Sequence, residues 1–408
     1  MRIAVVGNFA LTGNQTMAVR ALPLAEALAA RGHSVRMVLP RRHAGEPKVP
    51  HNPRGVDLHL VGRCLGIPLL AQVYQLLSLA HYTWHWHPDL LYCFKPIAYS
   101  GAVLGFFRWM RRFGLFHGSI VLDSDDWEGD GGWNERQSFP GWVKRLITMQ
   151  ERWTLTHADL VTVASRALVR RVKQLGVDRL LYLPNAPAPS SPGLQTPADP
   201  QLRARLGLEG RPLLLLYTRF FEYGLDRLLD SLEAIVQEMP ETVLLVVGQG
   251  LSGEEQELAR LAEQRGLAQR IVQAGWLPRE EVASYFKAAD VAIYPLDDNF
   301  LNQTKCPVKL LDLVAGGVPV VADRVGQAEE YLQDGRTGVL VAPGDVQTMA
   351  HAAVELLRDP VRRMAMGEAA RAEARERWRW DRWAEDLESA LAEPRPLPRA
   401  SLSGGESL

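Results

Sequence analysis

Short runs of consecutive apolar residues alternate with longer segments whose apolar positions recur every three to four residues. Representative runs are residues 2–7 (RIAVVG), 90–94 (LLYCF) and 242–248 (TVLLVVG). Continuous apolar runs of this length are typical of strands buried on both faces, and the periodic segments between them are typical of covering helices. The pattern therefore predicts an α/β fold built from doubly wound parallel sheets.

The alternation stops once, at residues 185–200 (NAPAPSSPGLQTPADP), which are rich in Pro and Ser and have no periodicity. Such a composition is typical of a linker, and the strand–helix cycle restarts after it. We therefore predict an N-terminal domain at 1–188, a linker at 189–204 and a C-terminal domain at 205–375. Each domain is long enough to bury its own core.

The chain closes with a helical segment, 376–392, that places Trp378, Trp380 and Trp383 close together. Three tryptophans on an exposed helix would leave a large apolar patch in water, so we expect this helix to pack across another surface. Residues 393–408 are rich in Pro, Ser and Gly and are predicted to be disordered.

Composition and charge exclude several classes of protein. With 47% hydrophobic residues, 23% charged residues and a net charge of −1, the 408-residue chain is neither disordered nor a basic nucleic-acid binder. The cysteines Cys64, Cys93 and Cys306 are widely spaced, which predicts no disulfide framework or zinc site and fits a reducing, cytoplasmic setting. No signal peptide is recognisable, and no apolar stretch reaches the ~20 residues of a membrane span.

Charge is distributed unevenly along the chain. Residues 1–190 carry 22 basic and 13 acidic side chains, whereas the remainder has a net charge of −10. Within the positive half, one segment mixes apolar and basic side chains: Phe106, Phe107, Arg108, Trp109, Met110, Arg111 and Arg112. Two interpretations stay open. The segment is either a helix in peripheral contact with the anionic inner face of a membrane, or a buried helix with a basic edge.

The strongest local signal for chemistry is the loop and helix at 297–317. Pro307 suits the first turn of a helix, and Gly316 and Gly317 suit its end. The N–H groups and dipole of such a helix favour a phosphate or diphosphate near Thr304, Lys305, Cys306, Pro307, Val308 and Lys309. Asp312, farther along the helix, is placed to accept hydrogen bonds from ribose hydroxyls.

Other candidates lie where predicted strands end. Arg219 follows the strand 212–218 directly and is suited to a bidentate contact with a diphosphate. Gly13 follows the first strand, and Gly248 and Gly250 open a GxGxxG sequence after another. That sequence lacks the downstream acidic residue of a dinucleotide site, which argues against NAD.

An acidic loop follows the predicted strand 119–124. It contains Asp123, Asp125, Asp126, Glu128 and Asp130, with Trp127 and Trp133 beside them. Carboxylates so placed either bind a cation or serve as a base for a hydroxyl, but the EF-hand spacing is absent. The aromatic neighbours are typical of a sugar-contact surface. His81, His85 and His87 are expected to be structural, and no metal ion is expected.

These elements together resemble glycosyltransferase family 4, the glycosyl transferases of group 1. The segments that carry the resemblance are ALPLAEALAARGHSV at 21–35, HADLVTVASRAL at 157–168, LYLPN at 181–185, VKLLDLVAGGVPVVADRVGQAEEYLQDGRTGVLVAPGD at 308–345 and WRWDRWAEDLESAL at 378–391. The resemblance covers most of the chain and is most specific in its second half.

The resemblance implies the GT-B architecture, in which two Rossmann-like domains face a cleft and the last helix returns to the N-terminal domain. It implies a retaining transfer from a nucleotide-diphosphate sugar to a hydroxyl of a glycan or lipid-linked acceptor, without a metal or other cofactor. Arg219 with Lys305 or Lys309 would stabilise the diphosphate, and Asp312 would hold the ribose. Glu330 would line the donor pocket, and Asp125 and Asp126 would meet the acceptor.

Three positions depart from the family pattern. The E-x7-E motif falls on Thr304 and Asp312, the Arg–Lys pair falls on Arg219 and Tyr223, and the His–Asp pair appears as Asp125 and Asp126. Two alternatives to a transferase therefore stay open. One is a nucleotide-sugar-binding or scaffold protein of the same fold, and the other is a GT-B-like sugar-nucleotide epimerase.

Overall fold

The computed structural model describes residues 1–11, 16–41, 54–62, 68–189, 191, 194 and 199–393. Gly13 lies outside the described residues, as does Cys64. Residues 190, 192, 193 and 195–198 of the predicted linker, and all of the predicted tail beyond residue 393, also lie outside them.

The N-terminal half forms a parallel sheet of seven strands in the order β3-β2-β1-β4-β5-β6-β7. Its strands are β1 Arg2–Val6, β2 Ser34–Pro40, β3 Val56–Val61, β4 Leu90–Phe94, β5 Ser119–Ser124, β6 Leu160–Val163 and β7 Leu180–Tyr182. The strand order reverses beside β1, which makes the sheet doubly wound.

The C-terminal half repeats this plan with six parallel strands in the order β10-β9-β8-β11-β12-β13. Its strands are β8 Leu213–Thr218, β9 Val243–Gly248, β10 Ile271–Gly275, β11 Val291–Tyr294, β12 Val320–Asp323 and β13 Val339–Val341. Every residue of β8 and β9 is buried, as strands covered on both faces require. The predicted α/β fold with two Rossmann-like sheets is therefore confirmed.

Helices cover both faces of each sheet. A π-helical turn at Met17–Ala21 leads into the first helix, and 3-10 turns lie at Trp133–Arg136 and Ala268–Arg270. The α-helices are α1 Leu22–Ala30, α2 Pro68–His85, α3 Ala98–Arg112, α4 Gly141–His157, α5 Arg166–Gln174, α6 Leu202–Arg205, α7 Leu225–Glu238, α8 Glu254–Gln264, α9 Arg279–Ala288, α10 Phe300–Thr304, α11 Val308–Gly316, α12 Ala328–Tyr331, α13 Val346–Arg358, α14 Pro360–Arg377 and α15 Trp380–Ala392.

The last helix crosses back to the N-terminal domain, as expected. Trp380 and Trp383 are buried, and α15 packs against α1. The Glu388 carboxylate accepts hydrogen bonds from Arg31 at 2.7 and 2.9 Å and lies 2.7 Å from His33 Nε2. The tryptophans are thus removed from water, and the C-terminal segment is fastened to the opposite half of the protein.

Helix α3 has one buried face and one exposed face. Phe107 is fully buried, Arg111 pairs with Asp159 at 2.8 Å, and Trp109 is exposed. The helix thus has a buried apolar face and, on another face, an exposed tryptophan. Among the helices that the structure describes, none has the length and hydropathy needed to cross a bilayer.

The end of β9 depends on a glycine. Gly248 has φ +136°, and a Cβ atom there would lie 1.9 Å from the Thr218 carbonyl oxygen on β8. We expect Gly248→Ala to destabilise the protein by about 2 kcal/mol or more, because the methyl group forces the two strands apart. Gly141→Ala is the matched control, since nothing lies within 4 Å of the added methyl group and the residue begins helix α4, so stability should change by no more than about 1 kcal/mol. Equal thermal melting temperatures for the two variants would contradict this argument.

Candidate functional site

A cleft lies between the two sheets at the carboxyl ends of their strands, with about 800 Å³ of open space. This is the edge at which doubly wound sheets bind ligands. The N-terminal half contributes Thr16, Val19, Arg20, Asp125, Asp126, Trp133 and Asn185. The C-terminal half contributes Tyr217, Arg219, Phe221, Glu222, Tyr294, Lys305, Cys306, Pro307, Val308, Lys309 and Asp312.

The N-terminus of α11 points into this cleft. Pro307 is its N-cap residue, and Cys306, Pro307 and Val308 line the cleft directly. Pro307 has no N–H of its own, and the N–H groups of the following turn carry the positive end of the helix dipole. The cleft therefore has a backbone site suited to an anion.

Lys309 places its ammonium over an aromatic ring inside the same cleft. Its Nζ lies 3.4 Å from the ring centroid of Tyr217. Burial lowers the Lys309 pKa to about 7, although Glu222 and Asp312 act in the opposite direction. An anionic ligand would favour the charged form of this lysine, so its charge is coupled to occupancy of the cleft.

Arg219 reaches the cleft through a strained turn after β8. The next residue, Phe220, has φ +68° and donates its backbone N–H to Thr218 Oγ1 at 2.7 Å. A left-handed conformation is costly for a phenylalanine, and here it turns the chain so that Arg219 lines the cleft while Phe220 enters the core.

Asp312 lies one turn deeper in α11 and is only 2% exposed. Burial raises its pKa to about 6, while Arg279, 3.8 Å away, opposes that shift. The carboxylate is therefore largely ionised at neutral pH and accepts hydrogen bonds.

Glu222 is a cleft residue that the sequence did not single out. Its Oε1 lies 3.3 Å from Lys305 Nζ, which is itself 4.9 Å from the centroid of Phe221. Burial lowers the Lys305 pKa, and Glu222 counteracts this shift. The sequence feature that could have identified Glu222 is its position three residues after Arg219, in a loop that follows a predicted strand.

The acidic loop encloses a lysine. Lys95 Nζ lies 2.9 Å from Asp125, 2.9 Å from Asp126 and 2.6 Å from Glu128. Burial alone would lower the Lys95 pKa, but the three carboxylates raise it well above its ordinary value. These carboxylates are grouped closely enough to suit a cation, and the lysine ammonium lies among them. Lys95 is not predicted from the sequence, although it directly follows β4 at the same sheet edge.

Asp125 is held ionised by its surroundings. Burial raises the pKa of a carboxyl group, but Lys95 and Arg20 together bring the Asp125 pKa below its ordinary value. Thr16 also donates a hydrogen bond to Asp125 Oδ2 at 2.7 Å. Asp125 and Asp126 therefore present negative charge to the cleft opposite Arg219 and Lys309.

Arg20 connects the acidic loop to the start of α11. Its guanidinium is fully buried and makes a bidentate pair with Asp123, with both distances 2.7 Å. It also donates to Asn185 Oδ1 at 3.1 Å, and the Asn185 amide donates to the Cys306 carbonyl oxygen at 2.9 Å. Asp123 thus has a structural partner, whereas Asp125 and Asp126 face the cleft.

Several predicted residues do not line the cleft. Thr304 is buried, and its hydroxyl donates to the Phe300 carbonyl oxygen of its own helix at 2.9 Å. Tyr223 lies in the core, where its hydroxyl donates to Thr218 Oγ1 at 3.0 Å. Glu330 lies 3.5 Å from Arg166, outside the lining.

The glycine-rich turn after β9 also stays outside the cleft lining. Gly248 is needed for the contact between strands, and the Gly250 N–H donates to Glu255 at 2.9 Å. Of the two tryptophans beside the acidic loop, Trp133 lines the cleft and Trp127 is buried in the core.

Lys95 should be essential for keeping the acidic loop folded. We expect Lys95→Met to destabilise the protein by about 3–5 kcal/mol at neutral pH, because the buried Asp125 and Glu128 and the half-buried Asp126 lose their counter-charge. The raised Lys95 pKa means that the wild-type ammonium stays charged throughout the range below about pH 10. In the variant the carboxylates take up protons as the pH falls, so its deficit should shrink from pH 8 to about pH 5. Thermal melts of wild type, Lys95→Met and Lys95→Arg measure this.

Lys95→Arg keeps the positive charge and should lose less stability than Lys95→Met. A deficit of the same size at both ends of this pH range would show that the lysine acts by packing rather than by charge.

Two family models match the chain. The Glycosyl transferase 4-like domain matches residues 15–186, and Glycosyl transferases group 1 matches residues 211–359. The first match contains strands β2 to β7 of the N-terminal sheet, and the second contains all six strands of the C-terminal sheet.

Curated relatives include GDP-mannose-dependent alpha-(1-6)-phosphatidylinositol monomannoside mannosyltransferase from Mycolicibacterium smegmatis. It is 35% identical over 55% of this chain and 59% of its own length. GDP-mannose-dependent monoacylated alpha-(1-6)-phosphatidylinositol monomannoside mannosyltransferase from Corynebacterium glutamicum is 30% identical over 59% of this chain and 64% of its own length. The chain thus spans about three fifths of the length of these relatives.

Solved structures share the fold over nearly the whole chain. Sucrose-phosphate synthase from Thermosynechococcus elongatus has a TM-score of 0.71 at 21% identity, covering 96% of this chain and 98% of its own. Anabaena HepE in complex with UDP and glucose has a TM-score of 0.69 at 17% identity, covering 97% and 100%. At these identities the likeness concerns the fold alone.

Proposed function

The chain belongs to the glycosyl transferases of group 1, and we propose that it transfers a sugar, with retention, from a nucleotide-diphosphate sugar to an acceptor hydroxyl. One observation carries the proposal. The cleft sets Arg219, Lys309 and the N-terminus of α11 on one side against Asp125 and Asp126 on the other. This arrangement matches an anionic leaving group on one side and a hydroxyl on the other.

On the donor side, the diphosphate gains negative charge as its bond to the sugar breaks. Arg219, Lys309 and the first-turn N–H groups of α11 are placed to stabilise that charge. Asp312, buried behind them, is suited to accept hydrogen bonds from ribose hydroxyls. We propose that these groups stabilise the diphosphate charge that other enzymes stabilise with a metal ion, so no metal cofactor is assigned.

On the acceptor side, the acidic loop orients the incoming hydroxyl. The lowered Asp125 pKa suits a carboxylate that accepts a hydrogen bond rather than one that keeps a proton. The acceptor oxygen forms its bond to the sugar while the bond to the diphosphate breaks. The diphosphate oxygen takes the electron pair of the broken bond and, on our proposal, the acceptor proton.

The acceptor is proposed to be a glycan or a lipid-linked sugar. The mannosyltransferase relatives carry phosphatidylinositol monomannoside in their names, and residues 1–190 have a net positive charge. The described cysteines, Cys93 and Cys306, are free thiols. We therefore propose a cytoplasmic protein in peripheral contact with the anionic inner face of a membrane.

Arg219 provides the first test. We expect Arg219→Ala to lower transfer by at least about 100-fold, because a charged donor to the leaving diphosphate is lost, while its melting temperature stays near that of wild type. Transfer is measured with the nucleotide sugar found by thermal-shift screening of UDP, GDP, ADP and TDP conjugates. Arg260→Ala is the matched control, since Arg260 is exposed and pairs only with Glu257 among the acidic side chains described.

The screen also separates the alternatives. Binding without turnover in the presence of acceptors would favour a scaffold, and donor conversion without an acceptor would favour an epimerase. Unchanged turnover in Arg219→Ala would remove Arg219 from the mechanism.

Lys309 predicts how donor affinity depends on pH. Because its pKa in the free protein is about 7 and a diphosphate favours the ammonium, binding above that pH must take up a proton. We expect the affinity for a nucleotide sugar to fall by up to about tenfold per pH unit between pH 7 and 9. Titration calorimetry in two buffers of different ionisation enthalpy measures the proton uptake directly.

Lys309→Arg keeps its charge at all these pH values, so it should bind without proton uptake in this range. Lys309→Met should bind weakly and independently of pH. Proton uptake that persists in both variants would assign the effect to another group.

A further inference from the structure

Helix α4 has an outer face whose apolar side chains are exposed. Four of them form a stripe at intervals of three or four residues, with exposed fractions of 70% for Trp142, 56% for Leu146, 67% for Met149 and 41% for Trp153. Phe139, just before the helix, is also exposed. A contiguous row of this kind in water marks an interaction surface.

Basic side chains border this stripe. Arg145 and Arg152 are exposed on α4 beside the stripe, and Arg152 lies 3.9 Å from the Asp130 carboxylate. The single acidic residue of the helix, Glu151, is fully buried. The neighbouring α3 packs against α4 and continues the surface with exposed Trp109 and Phe113. The outer face is thus apolar and positively charged, with tryptophans near both ends of the α4 stripe.

The inner face of α4 is fastened to the acidic loop of the cleft. The Glu151 carboxylate accepts the backbone N–H groups of Glu128 at 2.7 Å and Gly129 at 2.8 Å. Thr148 donates to Asp130 Oδ1 at 2.8 Å. One helix therefore presents apolar side chains outwards and holds the loop that contains Asp125 and Asp126.

We propose that the outer face of α4, extended by Trp109 and Phe113 of α3, docks on an anionic bilayer. A basic rim complements anionic headgroups, and tryptophan side chains suit the boundary between headgroups and acyl chains. Docking there would place the acidic loop next to the membrane surface from which a lipid-linked acceptor emerges. This inference rests on the proposed function, because it assumes a lipid-linked acceptor that approaches the cleft from the membrane.

Vesicle flotation tests the surface without any need for turnover. The full chain is mixed with vesicles of phosphatidylcholine and phosphatidylglycerol, or of phosphatidylcholine alone. We expect wild type to float with the anionic vesicles and less so at high salt. The double variant Leu146→Gln/Met149→Gln should partition at least about tenfold more weakly. Met364→Gln, on α14 and 68% exposed, is the matched control and should float like wild type.

Three outcomes would overturn the proposal: no flotation of wild type, equal flotation of the double variant, or an equal loss in Met364→Gln. Light scattering measures the oligomeric state of the same proteins. If wild type forms dimers that the double variant disrupts, and wild type does not bind vesicles, the surface is assigned to a second copy of the chain. Nucleotide-sugar binding is measured on the same proteins. A failed flotation with intact donor binding therefore rejects the docking surface and leaves the proposed function standing.

Discussion

A fully buried guanidinium connects the two sides of the cleft. Arg20 pairs with Asp123 at the end of β5 and donates to Asn185, which in turn bonds to Cys306 at the start of α11. Burial alone would lower the Arg20 pKa, but the Asp123 carboxylate raises it well above its ordinary value. A buried pair of this kind costs several kcal/mol to break, because the remaining charge has no solvent to stabilise it. A buried ion pair and a neutral amide hydrogen bond therefore join the acidic loop to the start of α11, in addition to the apolar packing around Ala186 and Cys306.

The two sides of the cleft balance their charges in different ways. On the N-terminal side, Lys95 contacts three carboxylates, and together with Arg20 it keeps Asp125 ionised without a ligand. On the C-terminal side, burial brings the Lys309 pKa to about 7, so much of its positive charge is absent at neutral pH. An entering diphosphate would restore that charge. The acidic side is thus organised in advance, whereas the basic side responds to its ligand.

The sequence predicts the parts of this arrangement that depend on local order. Apolar runs identify the strands of both sheets, and loops at strand ends identify Arg219, Lys309, Asp125 and Asp126 as cleft residues. Contacts between distant segments are not encoded locally, which is why Arg20, Lys95 and Glu222 were missed. Arg20 lies in an apolar helical segment, where nothing nearby in sequence indicates its partner 103 residues away.

A match to a family motif also does not predict whether the side chain at that position points into the cleft. Thr304 aligns with a motif position, yet a hydroxyl is short enough to bond to the carbonyl oxygen one turn back, and its backbone oxygen accepts a hydrogen bond from Ser165 at 2.5 Å. The position therefore links the two domains instead of lining the cleft.

The departures from the family motif need not remove the chemistry of the cleft. Tyr223, at the position of the family lysine, is in the core, but Lys305 and Lys309 both line the cleft from the adjoining segment. Thr304 offers no carboxylate, but Glu222 lies in the lining beside Lys305, and its Oε2 has no hydrogen-bond partner among the described residues. A buried carboxylate oxygen without a hydrogen bond costs free energy, and a hydroxyl group of a ligand could donate that hydrogen bond. The cleft thus keeps a basic group and an acidic group beside α11, at positions other than the family's, and these groups support the proposed transfer.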